Sequence, residues 1–80
     1  MKLPRNLSGD DLAKTLAKLG YAVVRQTGSH MRLTTTEHGE HHVTIPRHYS
    51  LRVGTLSAIL AEVADHFELT REELIDLLFQ

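Results

Sequence analysis

Residues 21–46 contain three short segments with the composition of β-strands, and this feature constrains the fold most. Tyr21 to Thr27 is rich in β-branched and aromatic residues. Gly28-Ser29 suits a two-residue hairpin turn of type II′, which needs positive φ at its first residue. The second strand is predicted over His30 to Thr36 and, after a turn containing Gly39, the third over His41 to Pro46. Together the segments predict a three-stranded antiparallel sheet.

Helical signals flank the strands on both sides. Ser8 and Asp11 have the spacing of a capping box, leucines then recur at helical spacing, and Gly20 is placed to end this helix. The first helix is therefore predicted over residues 9–19. A second long helix follows the strands, with an apolar stripe made of Leu56, Ile59, Leu60, Val63 and Phe67.

A short last helix is predicted because Thr70 and Glu73 form a second capping box. Its inward residues are expected to be Leu74, Ile75 and Leu78. The resulting order is α-β-β-β-α-α, an α+β fold in which the helices cover one face of the sheet. The chain has 80 residues, enough for one domain and no more, so one domain is expected over residues 1–80.

The composition excludes several classes of protein. The chain has no cysteine, which rules out disulfides and thiolate chemistry. No apolar run approaches the ~18 residues that a membrane span needs. The basic N-terminus also lacks the apolar stretch of a signal peptide. We therefore expect a cytoplasmic protein without a membrane partner.

Charge is unevenly distributed along the chain. Residues 1–52 carry eight Lys and Arg and four acidic residues, a net charge of +4, whereas residues 53–80 carry one Arg and six acidic residues, a net charge of −5. The basic part could attract phosphate, although such a split also occurs without functional meaning. Arg52 and Gly54-Thr55, at the start of the second helix, could hold phosphate too, but a plain helix start is the simpler interpretation.

A two-residue loop at Gly28-Ser29 would pair Thr27 with His30, Arg25 with Arg32 and Val24 with Leu33. Side chains alternate between the faces of a strand. The face buried by the helices is then expected to carry Ala22, Val24, Met31, Leu33, Val43 and Ile45. The opposite face is expected to carry Tyr21, Val23, Arg25, Thr27, His30, Arg32 and Thr34.

His30 is thus predicted to be exposed at a strand start, beside two arginines. Like charges directly opposite each other destabilise a sheet, so Arg25 and Arg32 indicate an anionic ligand or an acidic partner. Histidine exchanges protons near neutral pH. RNA cleavage without metal needs a base for the 2′-hydroxyl, positive charge for the phosphorane and an acid for the 5′-oxygen. The spacing alone, however, favours a polar residue at a strand end.

The other histidines do not indicate a metal site. His41 and His42 are adjacent and therefore point to opposite faces of a strand, and no other ligand spacing is convincing. His38 and His66 are expected to be solvated surface residues. His48 lies in a loop that could reach the His30 end of the sheet.

Several ordered motifs resemble one family. Arg25-Gln26-Thr27-Gly28-Ser29-His30 has the form R-Q-x-G-S-H, and Val43-Thr44-Ile45-Pro46-Arg47-His48 has the form V-T-[VI]-P-x-H. Residues 54–60 have the form G-T-L-x-x-I-L. Residues 3–9 and 69–73 resemble the beginning and the ending of the same proteins. Nearly the whole chain therefore resembles the HicA (YcfA-type) family.

The resemblance implies a toxin that cleaves mRNA, with a double-stranded-RNA-binding-domain-like fold and here an extra short C-terminal helix. It places the catalytic histidine at His30, and implies a HicB-type antitoxin as partner and no metal or cofactor. We predict that the residues binding RNA are Arg25, Ser29, Arg32, Arg47 and His48. The alternative is a non-catalytic RNA-binding module of the same fold, and a more distant one is an enzyme that uses the histidine cluster with a metal. Residues 61–68 lengthen the link to the last helix relative to the family, which leaves the placement of that helix open.

Overall fold

The computed structural model describes residues 3–80; Met1 and Lys2 lie outside the described residues. Its elements are α1 (Gly9–Leu16), which continues as a 3-10 turn (Ala17–Leu19), β1 (Ala22–Gln26), β2 (His30–Thr35), β3 (His41–Pro46), α2 (Val53–His66) and α3 (Arg71–Phe79). The strands form one antiparallel sheet in the order β1-β2-β3. The predicted α+β order α-β-β-β-α-α is confirmed.

The helix α1 begins where its capping box predicts, and the predicted segment up to Leu19 ends as a 3-10 turn. The Ser8 hydroxyl accepts a hydrogen bond from the Asp11 N–H at 3.0 Å, and the Asp11 carboxylate accepts one from the Ser8 N–H at 3.4 Å. Gly20 ends the 3-10 turn with a φ of 82°, a left-handed conformation that favours glycine. These local contacts fix the beginning of α1 and the end of the 3-10 turn that continues it.

A β-bulge interrupts the pairing of β1 with β2. Arg25 pairs with Arg32, as predicted, but Val23 pairs with Leu33 in the place predicted for Val24. Val24 is therefore the extra residue of the bulge. An inserted residue shifts the alternation of side chains by one position, so every residue before it changes face.

The bulge makes part of the predicted face assignment wrong. Tyr21, expected on the open face, is only 3% exposed and belongs to the core. Ala22 and Val24, expected under the helices, are exposed. The rest of the predicted sheet core is confirmed, since the buried strand residues include Met31, Leu33, Val43 and Ile45.

The hairpin between β1 and β2 has the predicted length but not the predicted turn type. The Thr27 N–H donates to the His30 carbonyl at 2.9 Å, which brackets Gly28 and Ser29 as the loop. Among the described glycines only two others have positive φ, so the expected type II′ turn is wrong. The Thr27 hydroxyl closes the loop in its place, since it accepts a hydrogen bond from the His30 N–H at 3.1 Å.

The helices cover one face of the sheet and leave the other open. The apolar stripe of α2 and the inward side of α3 join the strands in one buried cluster. The helix α3 begins at the predicted capping box and packs against α1 and α2, which settles its placement. Residues 61–66 extend α2 by more than a turn. Within residues 3–80, no helix has the length and apolarity to cross a membrane.

Candidate functional site

The open face of the sheet carries a small cluster of basic side chains. Arg25 of β1 lies opposite Arg32 of β2, and His30 begins β2 opposite Pro46 of β3. The two arginines and His30 are exposed. We call this cluster the basic face. It places a titratable group next to two fixed positive charges, without helical cover.

The hairpin loop orients the imidazole of His30. The Ser29 hydroxyl lies 2.9 Å from Nδ1 of His30, and the backbone N–H of His30 is held by Thr27. A partner at one ring nitrogen fixes the orientation of the ring and defines what the other nitrogen can do. No other residue of the described chain is hydrogen-bonded to Nε2, so this atom is available to a ligand.

A groove runs beside His30, between the open side of β3 and the helix α2. On the sheet side it is lined by His30, Thr44 and Pro46. On the helix side it is lined by Gly54, Thr55, Ala58, Ile59 and Glu62. The sequence prediction missed this groove, although the spacing of four residues from Gly54 to Ala58 to Glu62 indicated one row along the helix.

Two predicted site residues, Arg47 and His48, lie elsewhere. The Arg47 N–H donates to the Ser29 carbonyl at 2.9 Å, which ties this loop to the hairpin. The Arg47 guanidinium, however, forms an ion pair with Asp10 of α1, with Nε and Oδ1 3.4 Å apart. Arg47 and His48 line a second depression with the beginning of α1 and Gly28. The structure thus groups Arg25, Ser29 and Arg32 with His30, but not Arg47 and His48.

The histidines at the other end of the sheet have a structural role. Nε2 of His66 lies 3.0 Å from the carbonyl oxygens of Glu37 and of Gly39, so its N–H joins α2 to the β2–β3 turn. Its ring stacks on His41, with centroids 4.5 Å apart. His66 is half-buried, and the prediction of a solvated surface residue is wrong for it.

The ring of His41 is in turn bonded to the core. The Tyr21 hydroxyl lies 2.7 Å from Nδ1 of His41. Burial, with a contribution from nearby Glu62, raises the pKa of Tyr21 to about 12. No three His, Asp or Glu side chains of residues 3–80 are grouped as metal ligands.

Fold and site together define a small α+β protein with an exposed histidine on a basic, uncovered sheet face. The sequence model of the family described as "HicA toxin of bacterial toxin-antitoxin" matches residues 9–64, well over half of the chain. The chain therefore belongs to the HicA toxin family, and this membership implies an antitoxin as partner. Comparison with curated proteins and with solved structures gave no match.

Proposed function

We propose that this chain is the toxin of a type II toxin–antitoxin pair and a metal-independent endoribonuclease that cleaves mRNA in the cytoplasm. Its partner would be a HicB-type antitoxin. The observation that carries the proposal is the exposed His30, which is oriented by Ser29 and shares the open sheet face with the paired Arg25 and Arg32. Membership of a toxin family supports the same function.

The chemistry requires one bond to form and one to break. The 2′-hydroxyl loses its proton and attacks the adjacent phosphorus, the bond to the 5′-oxygen breaks, and that oxygen takes a proton. In this proposal His30 carries the proton transfers, as base towards the 2′-hydroxyl and as acid towards the 5′-oxygen. Arg25 and Arg32 stabilise the negative charge that develops on the phosphorane.

Replacement of His30 by alanine tests the assignment. We expect the His30→Ala variant to cleave RNA ~10²-fold more slowly or worse, the loss usual for a general acid or base. The fold should persist because the side chain is exposed. His42→Ala is the matched control, since His42 is an exposed histidine further along the same face. Wild-type cleavage by His30→Ala would refute the assignment.

The same reaction makes two further predictions, one about metal ions and one about the kind of nucleic acid that is cut. Cleavage should continue in excess EDTA, and single-stranded DNA should not be cut, because DNA has no 2′-hydroxyl. Activity that EDTA abolishes and one metal restores would contradict the metal-independent mechanism. RNA that is bound but never cut would identify the alternative, a non-catalytic RNA-binding module.

A further inference from the structure

The groove beside His30 has an acidic side chain on its helical wall. Gly54, Ala58 and Glu62 follow one another at intervals of four residues and so form one row along α2. The first two are small, and a Cβ added at Gly54 would meet no atom within 4 Å. The row therefore leaves open space that runs along the helix to the Glu62 carboxylate.

Glu62 has no ion-pair partner among residues 3–80. A free carboxylate repels phosphate, whereas Arg25 and Arg32 on the other side of His30 attract it. An RNA strand that crosses His30 would therefore keep its phosphates over β1 and β2. Its unpaired base would turn towards β3 and α2, where the groove is.

We propose that this groove is a nucleobase subsite in which Glu62 selects guanine next to the cleaved bond. The proposal rests on the proposed function, since it takes RNA as the ligand. Guanine presents two neighbouring donors, N1–H and the N2 amine, which match the two oxygens of one carboxylate. Adenine, cytosine and uracil do not present such a pair of donors. Single-stranded RNA is commonly read on this edge of its bases.

The first experiment compares the cleavage products of an RNA pool that is randomised in sequence. Wild-type protein should cut beside guanine about tenfold more often than beside the other bases, and Glu62→Gln should lose this preference because an amide offers one acceptor and not two. Glu72→Gln is the matched control, because Glu72 is an exposed acid on α3, outside the groove. The same base profile for wild type and Glu62→Gln would overturn the proposal.

The second experiment changes the base. Inosine lacks the N2 amine, so its substitution for guanine beside the cut should slow wild-type cleavage about tenfold and leave Glu62→Gln unaffected. Ala58→Met should also lower the preference, since a longer side chain at this exposed helical position fills the groove. Equal cleavage of guanine and inosine RNA by the wild type would contradict the bidentate contact.

A binding measurement separates this proposal from the nuclease itself. RNA that binds is selected from the randomised pool with two proteins, the His30→Ala variant and the same variant with the added Glu62→Gln change. One outcome is that the wild type cuts no RNA, while the selected RNA is rich in guanine only when Glu62 is present. The proposed nuclease activity is then refuted and the guanine subsite is supported. If RNA is cut without base preference, the subsite is refuted and the nuclease stands. If RNA is neither cut nor bound, both are refuted.

Discussion

The histidines of this chain differ in what their rings touch. His30 is exposed, with one nitrogen on the Ser29 hydroxyl and the other available to a ligand. His66 donates to two carbonyls and stacks on His41, which is hydrogen-bonded to the buried Tyr21. His42 lies on the open face but is bonded to Thr34 and Glu40. Of these four residues, His30 combines a ring nitrogen without a hydrogen-bond partner in residues 3–80 with the two arginines of the basic face.

The His41 ring is expected to make stability depend on pH. Burial lowers the pKa of His41, and the stacked His66 adds to this effect, while Glu62 and Asp65 oppose it. Because the folded state takes up this proton less readily than the unfolded chain, the free energy of unfolding should fall as the pH drops below about 6.5.

Chemical denaturation at several pH values measures this dependence. The His41→Phe variant keeps an aromatic ring against His66 but cannot titrate, so its stability should fall less between pH 7 and acidic pH. His48→Phe is the control, because His48 is exposed in the loop after β3. An equal pH dependence in the wild type and His41→Phe would show that other groups cause it.

At the scale of elements, the glycines at the beginnings of α1 and α2 have opposite roles. A Cβ at Gly9 would clash with the Pro46 carbonyl oxygen, so α1 contacts the end of β3 directly through its backbone. The Gly9 N–H also donates to the His48 carbonyl at 3.0 Å. Gly54 has no atom within 4 Å of its added Cβ.

Alanine at these two positions should therefore change stability in opposite directions. Gly9→Ala should lose about 1–3 kcal/mol of the free energy of unfolding, because the clash with backbone cannot relax easily. Gly54→Ala should gain up to about 1 kcal/mol, the difference in helix propensity. Urea denaturation of both variants provides the measurement. A gain in both would mean that α1 shifts away from β3 at little cost.

The paired arginines of β1 and β2 should dominate the salt dependence of RNA binding. Each phosphate neutralised on a single strand contributes a slope of ~0.7 to the dependence of log affinity on log salt. Arg32→Ala should lower the slope by about this amount, whereas Lys14→Ala, which removes an exposed charge from α1, should not. Binding is measured with His30→Ala so that RNA stays intact. An unchanged slope for Arg32→Ala would assign the arginine to the antitoxin.

At the scale of the whole molecule, the antitoxin is expected on the basic face. The helices already bury their apolar sides against the sheet, and the opposed arginines favour acidic or polar groups between them. Complementary charge mainly accelerates association. Charge reversal by Arg32→Glu should thus slow association far more than Glu72→Lys on the acidic helix α3, as stopped-flow mixing at low salt would measure.

Hydrogen exchange gives a second view of the same complex. The antitoxin should protect the hairpin of β1 and β2 and leave the exposed side of α3 unchanged. Protection confined to residues 56–79 would contradict this placement and indicate inhibition at a distance.

Much of this architecture is determined by local sequence. The two capping boxes fix where α1 and α3 begin, because their hydrogen bonds join residues three apart. The strand bounds follow from β-branched segments between turns, and the opposition of Arg25 and Arg32 follows from the length of the hairpin loop. The exposure of His30 could therefore be predicted, since it depends on alternation within β2 alone.

Only the tertiary structure decided the remaining features. No local signal marks Val24 as the bulged residue. The bulge reverses the alternation of side chains before it, and Tyr21 lies in the core. The position of Arg47 depends on Asp10, 37 positions earlier in the chain. The groove with Glu62 exists because α2 packs along β3. Contacts between distant segments depend on how whole elements pack, which hydrophobic periodicity along one element does not specify.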